Sequence, residues 1–211
     1  MSDPLEQLCE LADSFFTRGY AFGSTGNLSV RVDDTVYVTP TGKPLRGLKP
    51  DMLAAINLDG DSKNAVRPSK EFPFHLAAYR NHEGDCGAIV HLHSTYTVAL
   101  SCLAELDSAD PLPSITPYYF MRVAPMGIVP YFRPGSIELG DAVGEAARAH
   151  KTILLRNHGS ICLGRNLSEA ADRAEELEET AKLHFILRGE NVRTLTPEEI
   201  HDIQRTFVLK S

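Results

Sequence analysis

The sequence predicts a single α/β domain, three layers deep (α-β-α), with helices covering both faces of a central mixed sheet. Three observations predict it. Apolar residues recur at helical spacing in some windows and as short continuous or alternating runs in others. The two kinds of segment are interleaved along the chain, the pattern of layered α/β folds. Finally, 211 residues with 43% apolar and 23% charged side chains, and no repeat, low-complexity tract or composition break, suit one domain over 1–211 with a sizeable core.

The elements follow in order. Asp3-Pro4-Leu5-Glu6 reads as a helix start: Asp3 can cap, Pro4 fits the first turn and Glu6 completes a capping box. Leu5, Leu8, Leu11, Ala12, Phe15 and Phe16 then share one face, and Gly19 suits the C-terminal end. After the small-residue turn 23–27, Leu28 to Val32 and Val36 to Val38 read as two strands joined at Asp33-Asp34. Leu53 to Leu58 is a further strand before the Asp59-Gly60 turn. Ser69 is a natural N-cap for a helix through about His82, with Phe72, His75, Leu76 and Tyr79 on one face. Gly87 to His91 reads as a buried strand, followed by a helix carrying Val98, Leu100 and Leu103. Residues 107–134 hold six of the 13 prolines and two aromatic clusters, and read as a long irregular segment of the kind that often carries function. Ser136 to His150 is amphipathic, Thr152 to Leu155 and Ser160 to Leu163 are strands, and Ser168 to Leu187 is a long helix. Thr196-Pro197-Glu198-Glu199 opens a last helix with a second capping signature.

Composition excludes several functions. A net charge of −7 argues against nucleic acid as the main partner. No apolar run approaches the length of a membrane helix, and the N-terminus lacks a basic stretch leading into an apolar one. Cys9, Cys86, Cys102 and Cys162 are scattered and form no CxxC pair, so reduced thiols in a cytoplasmic protein are expected.

The chemistry concentrates in His91 and His93 of AIVHLHS, His158 of LLRNHG, and Glu71 of RPSKEFPFH. Imidazole is the preferred neutral zinc ligand, and three protein ligands with an open position mark a catalytic site. His-x-His on a strand places both rings on one face. That pair alone is weak: with eight histidines in 211 residues, two core histidines satisfied by backbone carbonyls account for it better. His158 strengthens the case, because it follows the apolar run 153–155 near a strand end, and Asn157-His158-Gly159 suggests a special backbone conformation. His75 lies one turn beyond Glu71, where it either supports the site or packs beneath it.

Three further segments are small and hydroxyl-rich: Gly23-Ser-Thr-Gly26-Asn27, Thr39-Pro-Thr41-Gly42 and Pro68-Ser69-Lys70. Glycines let backbone N–H groups turn inward, and hydroxyls, amides and a lysine complete an anion cradle. Each alone is an ordinary turn, and none is a nucleotide fingerprint. Together they suggest a small phosphorylated substrate.

In order, GSTGNLSVR, VTPTGKPL, RPSKEFPFHLAAYR, AIVHLHS and LLRNHG resemble the class II aldolase/adducin family, over a span from the first helix to about Leu187. The resemblance implies one α/β domain with a mixed or antiparallel sheet, assembled as a homotetramer with the site at a subunit interface. It implies zinc on His91, His93 and His158, though manganese, cobalt or iron also suit three histidines. Glu71 is implied as the catalytic acid/base, also ligating the metal when substrate is absent. Gly26, Asn27, Thr41, Gly42, Ser69 and Lys70 fall on positions that cradle the substrate phosphate. A tyrosine from a neighbouring subunit serves as an acid in the aldolases; the best match is Tyr119, with Tyr118 and Tyr131 as competitors. Lys70 stands where the aldolases have a second serine. The segment 115–120 and Tyr131-Phe-Arg133-Pro-Gly135 look more like the branch containing 3-oxo-tetronate 4-phosphate decarboxylases.

That branch implies loss of the carboxylate from a β-keto acid phosphate, leaving an enediolate that is protonated to dihydroxyacetone phosphate. An aldolase reaches the same enediolate by releasing an aldehyde from a deoxyketose 1-phosphate such as fuculose 1-phosphate. Related epimerases and dehydratases share the family, and an adducin-like head would keep the fold as a non-catalytic binding module. Arg133 is a candidate for the substrate carboxylate, against the plainer reading of a solvent-facing arginine.

Overall fold

The protein is described by a computed structural model over residues 3–82, 85–106 and 111–208. Seven strands form one sheet: β1 (Asn27–Val32), β2 (Thr35–Val38), β3 (Ala54–Ile56), β4 (Ala88–Leu92), β5 (Met126–Val129), β6 (Thr152–Leu155) and β7 (Gly159–Gly164). Their order is β3-β2-β1-β4-β7-β6-β5. Neighbours are antiparallel except β5 and β6, so the sheet is mixed as the sequence predicts. The helices are α1 (Pro4–Thr17), α2 (Phe72–Asn81), α3 (Thr95–Ser101), α4 (Pro117–Arg122), α5 (Ile137–Ala147), α6 (Leu167–Ile186) and α7 (Pro197–Ile203).

Both faces of the sheet are covered. On one, Leu8, Ala12 and Phe15 of α1 and Ala170 and Ala174 of α6 pack on Leu28, Val90 and Cys162. Beside them, Leu100, Leu177 and Ala181 pack with Met126 and Leu154. On the other face, Phe74, Leu76 and Tyr79 of α2 and Leu139 and Val143 of α5 cover Val38, Ile89, Ile153 and Ile161. Each fully buried Leu or Phe contributes about 1.5–3 kcal/mol of transfer free energy.

Local signals mostly act as expected. Arg18 ends α1 and Gly19 adopts φ +80°, so that Tyr20 N–H reaches Phe15 C=O (2.9 Å) and Gly19 N–H reaches Phe16 C=O (3.2 Å), a Schellman closure. The Asp3 carboxylate caps α1 through Leu5 N–H (3.0 Å) rather than through Glu6 N–H. The Thr196–Glu199 capping box forms in full.

Two expectations are corrected. Ser69 does not cap α2, which begins three residues later at Phe72 with Glu71 in the cap position. Ser69 instead closes the preceding turn, its carbonyl taking Phe72 N–H (3.1 Å) and its hydroxyl taking Glu71 N–H (3.3 Å). The proline-rich stretch is also less irregular than expected. Pro117 opens α4, where Thr116 caps Tyr119 N–H (3.2 Å), and Pro125 stands just ahead of β5, a parallel edge strand. Pro117 and Pro125 start elements there, because first helical turns and strand starts spare the missing N–H. Residues 107–110 of that stretch lie outside the described residues.

Candidate metal centre

Four side chains from distant parts of the chain meet at one end of the central strands. His91 is the penultimate residue of β4, His93 follows its end, His158 lies in the β6–β7 turn, and Glu71 immediately precedes α2. Their ligand atoms all lie within 4.8 Å of one another. His91 Nε2 is 2.9 Å from His93 Nε2 and 3.2 Å from Glu71 Oε2, and His158 Nε2 is 3.1 Å from Glu71 Oε1. The three rings stand at 77–78° to one another with centroids 4.8–5.0 Å apart, so their nitrogens converge.

The donor set fits a divalent cation. His91 Nδ1 lies 2.8 Å from Ser160 C=O, which can only accept, so Nδ1 carries the proton. A neutral His91 then turns a bare lone pair at Nε2 toward another imidazole and a carboxylate. Glu71 Oε1 is buried with no aligned hydrogen bond despite its approach to His158. Buried acceptors facing one another need a shared positive charge. Burial pushes the Glu71 carboxyl up, but His91 and His158 beside it outweigh that and hold it well below the usual range. Burial first, and the neighbouring His91 and His158 second, lower His93 to about 3, so it presents a neutral lone pair suited to a metal.

The surroundings hold the His158 turn and the segment beyond His93 in place. In the three-residue turn between β6 and β7, Asn157 adopts φ +54° and His158 N–H closes on Leu155 C=O (3.2 Å). Ser101 Oγ accepts a second contact from His158 N–H (3.2 Å), and Arg156 ties the turn to Leu103 and Ala104 C=O. Beyond His93, the start of α3 is capped from another helix. Glu178 of α6 accepts from Tyr96 N–H (2.9 Å), Thr97 N–H (2.7 Å) and Thr97 Oγ1 (2.8 Å). Glu178→Ala should leave those donors unpaired and cost about 3 kcal/mol. Melting should drop by about 6–12 °C, and an unchanged transition would show that the α3 end is held by other means.

The predicted phosphate residues fall into two groups. Thr41, Ser69 and Lys70 line one cavity of about 430 Å³, with Arg67 and Asn64 also in its wall. Backbone pairing brings their loops together: Thr41 N–H meets Arg67 C=O (3.1 Å) and Ser69 N–H meets Thr39 C=O (3.1 Å). Gly42 follows with φ +70°. Gly26 and Asn27 lie instead beside the histidines. Gly26 (φ +76°) passes so close to His91 C=O that a Cβ would sit 3.0 Å away, and Asn27 pairs with His91 across β1 and β4. The Asn27 amide donates to Glu71 Oε2 (2.9 Å). Tyr119 is 2% exposed and packs in the core, whereas Tyr118 and Tyr131 are 55% and 61% exposed. Arg133 is exposed. A larger cavity, about 580 Å³, lined by Arg122, Lys151, Arg165 and Glu169, lies at the opposite end of the sheet, so volume does not mark the chemistry here.

Asn27 as a Glu71 partner, Arg67 in the cavity wall and Glu178 as a remote cap were not singled out from sequence. For Asn27 a signal existed, since it opens the strand that pairs with the histidine strand.

Comparison with known proteins agrees with this geometry. The Class II Aldolase and Adducin N-terminal domain family matches residues 6–185. The chain belongs to that family. A 3-oxo-tetronate 4-phosphate decarboxylase of Haemophilus influenzae is 48% identical over 200 residues, 94% of this chain and 95% of that protein. An L-fuculose phosphate aldolase of Methanocaldococcus jannaschii is 36% identical over 181 residues, 86% of this chain and 95% of that protein. The crystal structure of YgbL from Escherichia coli superposes with a TM-score of 0.91 at 45% identity, covering 95% of this chain and 97% of that one. Decarboxylases and aldolases of this family are both lyases, and this member is a lyase.

Proposed function

We propose that this class II aldolase family member decarboxylates a 3-oxo-tetronate 4-phosphate to dihydroxyacetone phosphate and carbon dioxide, with zinc as its metal. The observation that carries this reading is the 48% identity to a decarboxylase of that name, against 36% to an aldolase, in a chain that keeps the His91, His93, His158 and Glu71 cluster. A zinc ion on the three histidines would supply Lewis acidity, stabilising negative charge that develops on the substrate ketone oxygen. The chain's own groups do the rest. Thr41, Gly42, Ser69 and Lys70, with Gly26 and the Asn27 backbone, hold the phosphate and so orient the β-keto acid. As the carboxylate carbon leaves as carbon dioxide, its bonding electrons pass to the ketone and form an enediolate. Glu71 handles the proton that converts the enediolate carbon to the hydroxymethyl group of dihydroxyacetone phosphate. Asn27 keeps the Glu71 carboxylate aimed at that carbon.

A homotetramer would bring a neighbour's tyrosine to this site. Exposure favours Tyr118 and Tyr131 as candidates for that role over Tyr119, which is buried in the core. Four unpaired cysteines suit a cytoplasmic setting. Among the described residues no helix is long and apolar enough to cross a membrane.

The test is incubation of the purified protein with 3-oxo-tetronate 4-phosphates of both configurations while carbon dioxide and dihydroxyacetone phosphate are followed. Equal amounts of both products support the reading. An aldehyde with dihydroxyacetone phosphate from fuculose 1-phosphate, and no carbon dioxide, would replace it with the aldolase. A native protein without bound metal would favour a binding module.

A further inference from the structure

Behind Glu71 lies a buried row of polar side chains that the proposed reaction does not touch. Glu71, His75 and Tyr79 recur every fourth residue along α2 and its entry turn, while Asn27 and Ser29 alternate on the facing side of β1. The two spacings interlock. Tyr79 OH lies 2.9 Å from Ser29 Oγ, Ser29 Oγ 2.8 Å from His75 Nδ1, His75 Nε2 2.5 Å from Asn27 Oδ1, and Asn27 Nδ2 2.9 Å from Glu71 Oε2. Asn27, Ser29, His75 and Tyr79 are between 0% and 5% exposed, so water does not compete for these bonds.

Chemistry gives the row a single direction. An ionised carboxylate only accepts, so Asn27 must turn its NH₂ to Glu71 and its carbonyl to His75. That carbonyl requires a proton on His75 Nε2. In a neutral ring Nδ1 then accepts from the Ser29 hydroxyl, whose oxygen accepts from Tyr79. Phe74, stacked on the His75 ring at 4.8 Å and edge-on to His91 at 5.1 Å, fixes the ring plane.

We infer that His75 is a positioning residue for Glu71, acting through the Asn27 amide at the inner end of this one-way hydrogen-bond row. Without the His75 donor the amide can flip, and its carbonyl would then face the Glu71 carboxylate as a second acceptor. The inference rests on the proposed proton role of Glu71.

Three variants test it. His75→Leu removes the donor, His75→Gln keeps an N–H near the Nε2 position, and Asn27→Ala removes the amide. His75→Leu should lower kcat by about 10–100-fold, the usual effect of losing an outer partner. KM and metal content should stay within about twofold, and His75→Gln should recover most of the loss. In the Asn27→Ala background His75→Leu should add little, since two groups acting through one another are not additive. Multiplying effects, a His75→Gln variant as poor as His75→Leu, or a parallel fall in metal content would overturn the inference. Side-chain amide resonances of Asn27 give a readout independent of turnover. They should shift in His75→Leu and persist in His75→Gln; unmoved resonances in His75→Leu would sink the idea. If the parent protein releases no carbon dioxide, the proposed reaction fails, and the Asn27 resonances still judge the role of His75.

Discussion

Glu71→Gln is expected to lower kcat by about 10²–10⁴-fold, the range a positioned acid–base group contributes, while the bound metal stays. The amide keeps the volume and the hydrogen bond from Asn27, and His91, His93 and His158 remain as three ligands. What disappears is a group able to take up and release a proton. The loss should fall on kcat with little change in KM, because the loops proposed to hold the phosphate are untouched. Metal analysis and steady-state carbon dioxide release on the same preparation decide it. Undiminished turnover would remove Glu71 from the proton transfer.

His91→Ala should have the other large effect. His91 is fully buried and central: its Nε2 approaches both His93 and Glu71, and its Nδ1 is tied to the β7 backbone. Removing it takes one of the three imidazoles from the cluster and opens a void beside Phe74. Metal affinity should fall by more than about 100-fold, beyond the usual loss of an outer partner, and turnover should fall with it. Circular dichroism separates this from unfolding. A folded His91→Ala protein that still turns over normally after chelation would contradict the metal reading.

The sheet and its helices were legible because apolar spacing and turn chemistry agree in most segments. Asp33-Asp34, Gly19 and the Thr196 capping box each act locally, and local signals survive in a sequence. The start of α2 was misplaced because Ser69 has the right residue type and a competing use: it closes the turn that presents Glu71. β5 was missed because an edge strand packed on one neighbour needs little apolar pattern, and prolines on both sides hide it. At the site, the four converging side chains were legible as residue types. Their supports were not, since Glu178, Ser160 and Asn27 reach the centre through pairings 44 to 82 residues apart in sequence.

β4 is buried along its whole length, with apolar neighbours on either side. Hydrophobic alternation therefore does little to choose its alignment with β7. A slip of one residue would carry Val90 and Leu92 to the face now held by His91 and His93, burying the histidines against α1 and α6. Glycines guard against that slip. A Cβ at Gly159 would come within 2.3 Å of Leu92 C=O, and one at Gly87 within 2.3 Å of Arg165 C=O. A slip of one residue would bring Cys86 or Ala88, each with a Cβ, to the crossing that Gly87 now occupies. The same backbone crowding that excludes larger residues there also decides which atoms of β4 face the chemistry.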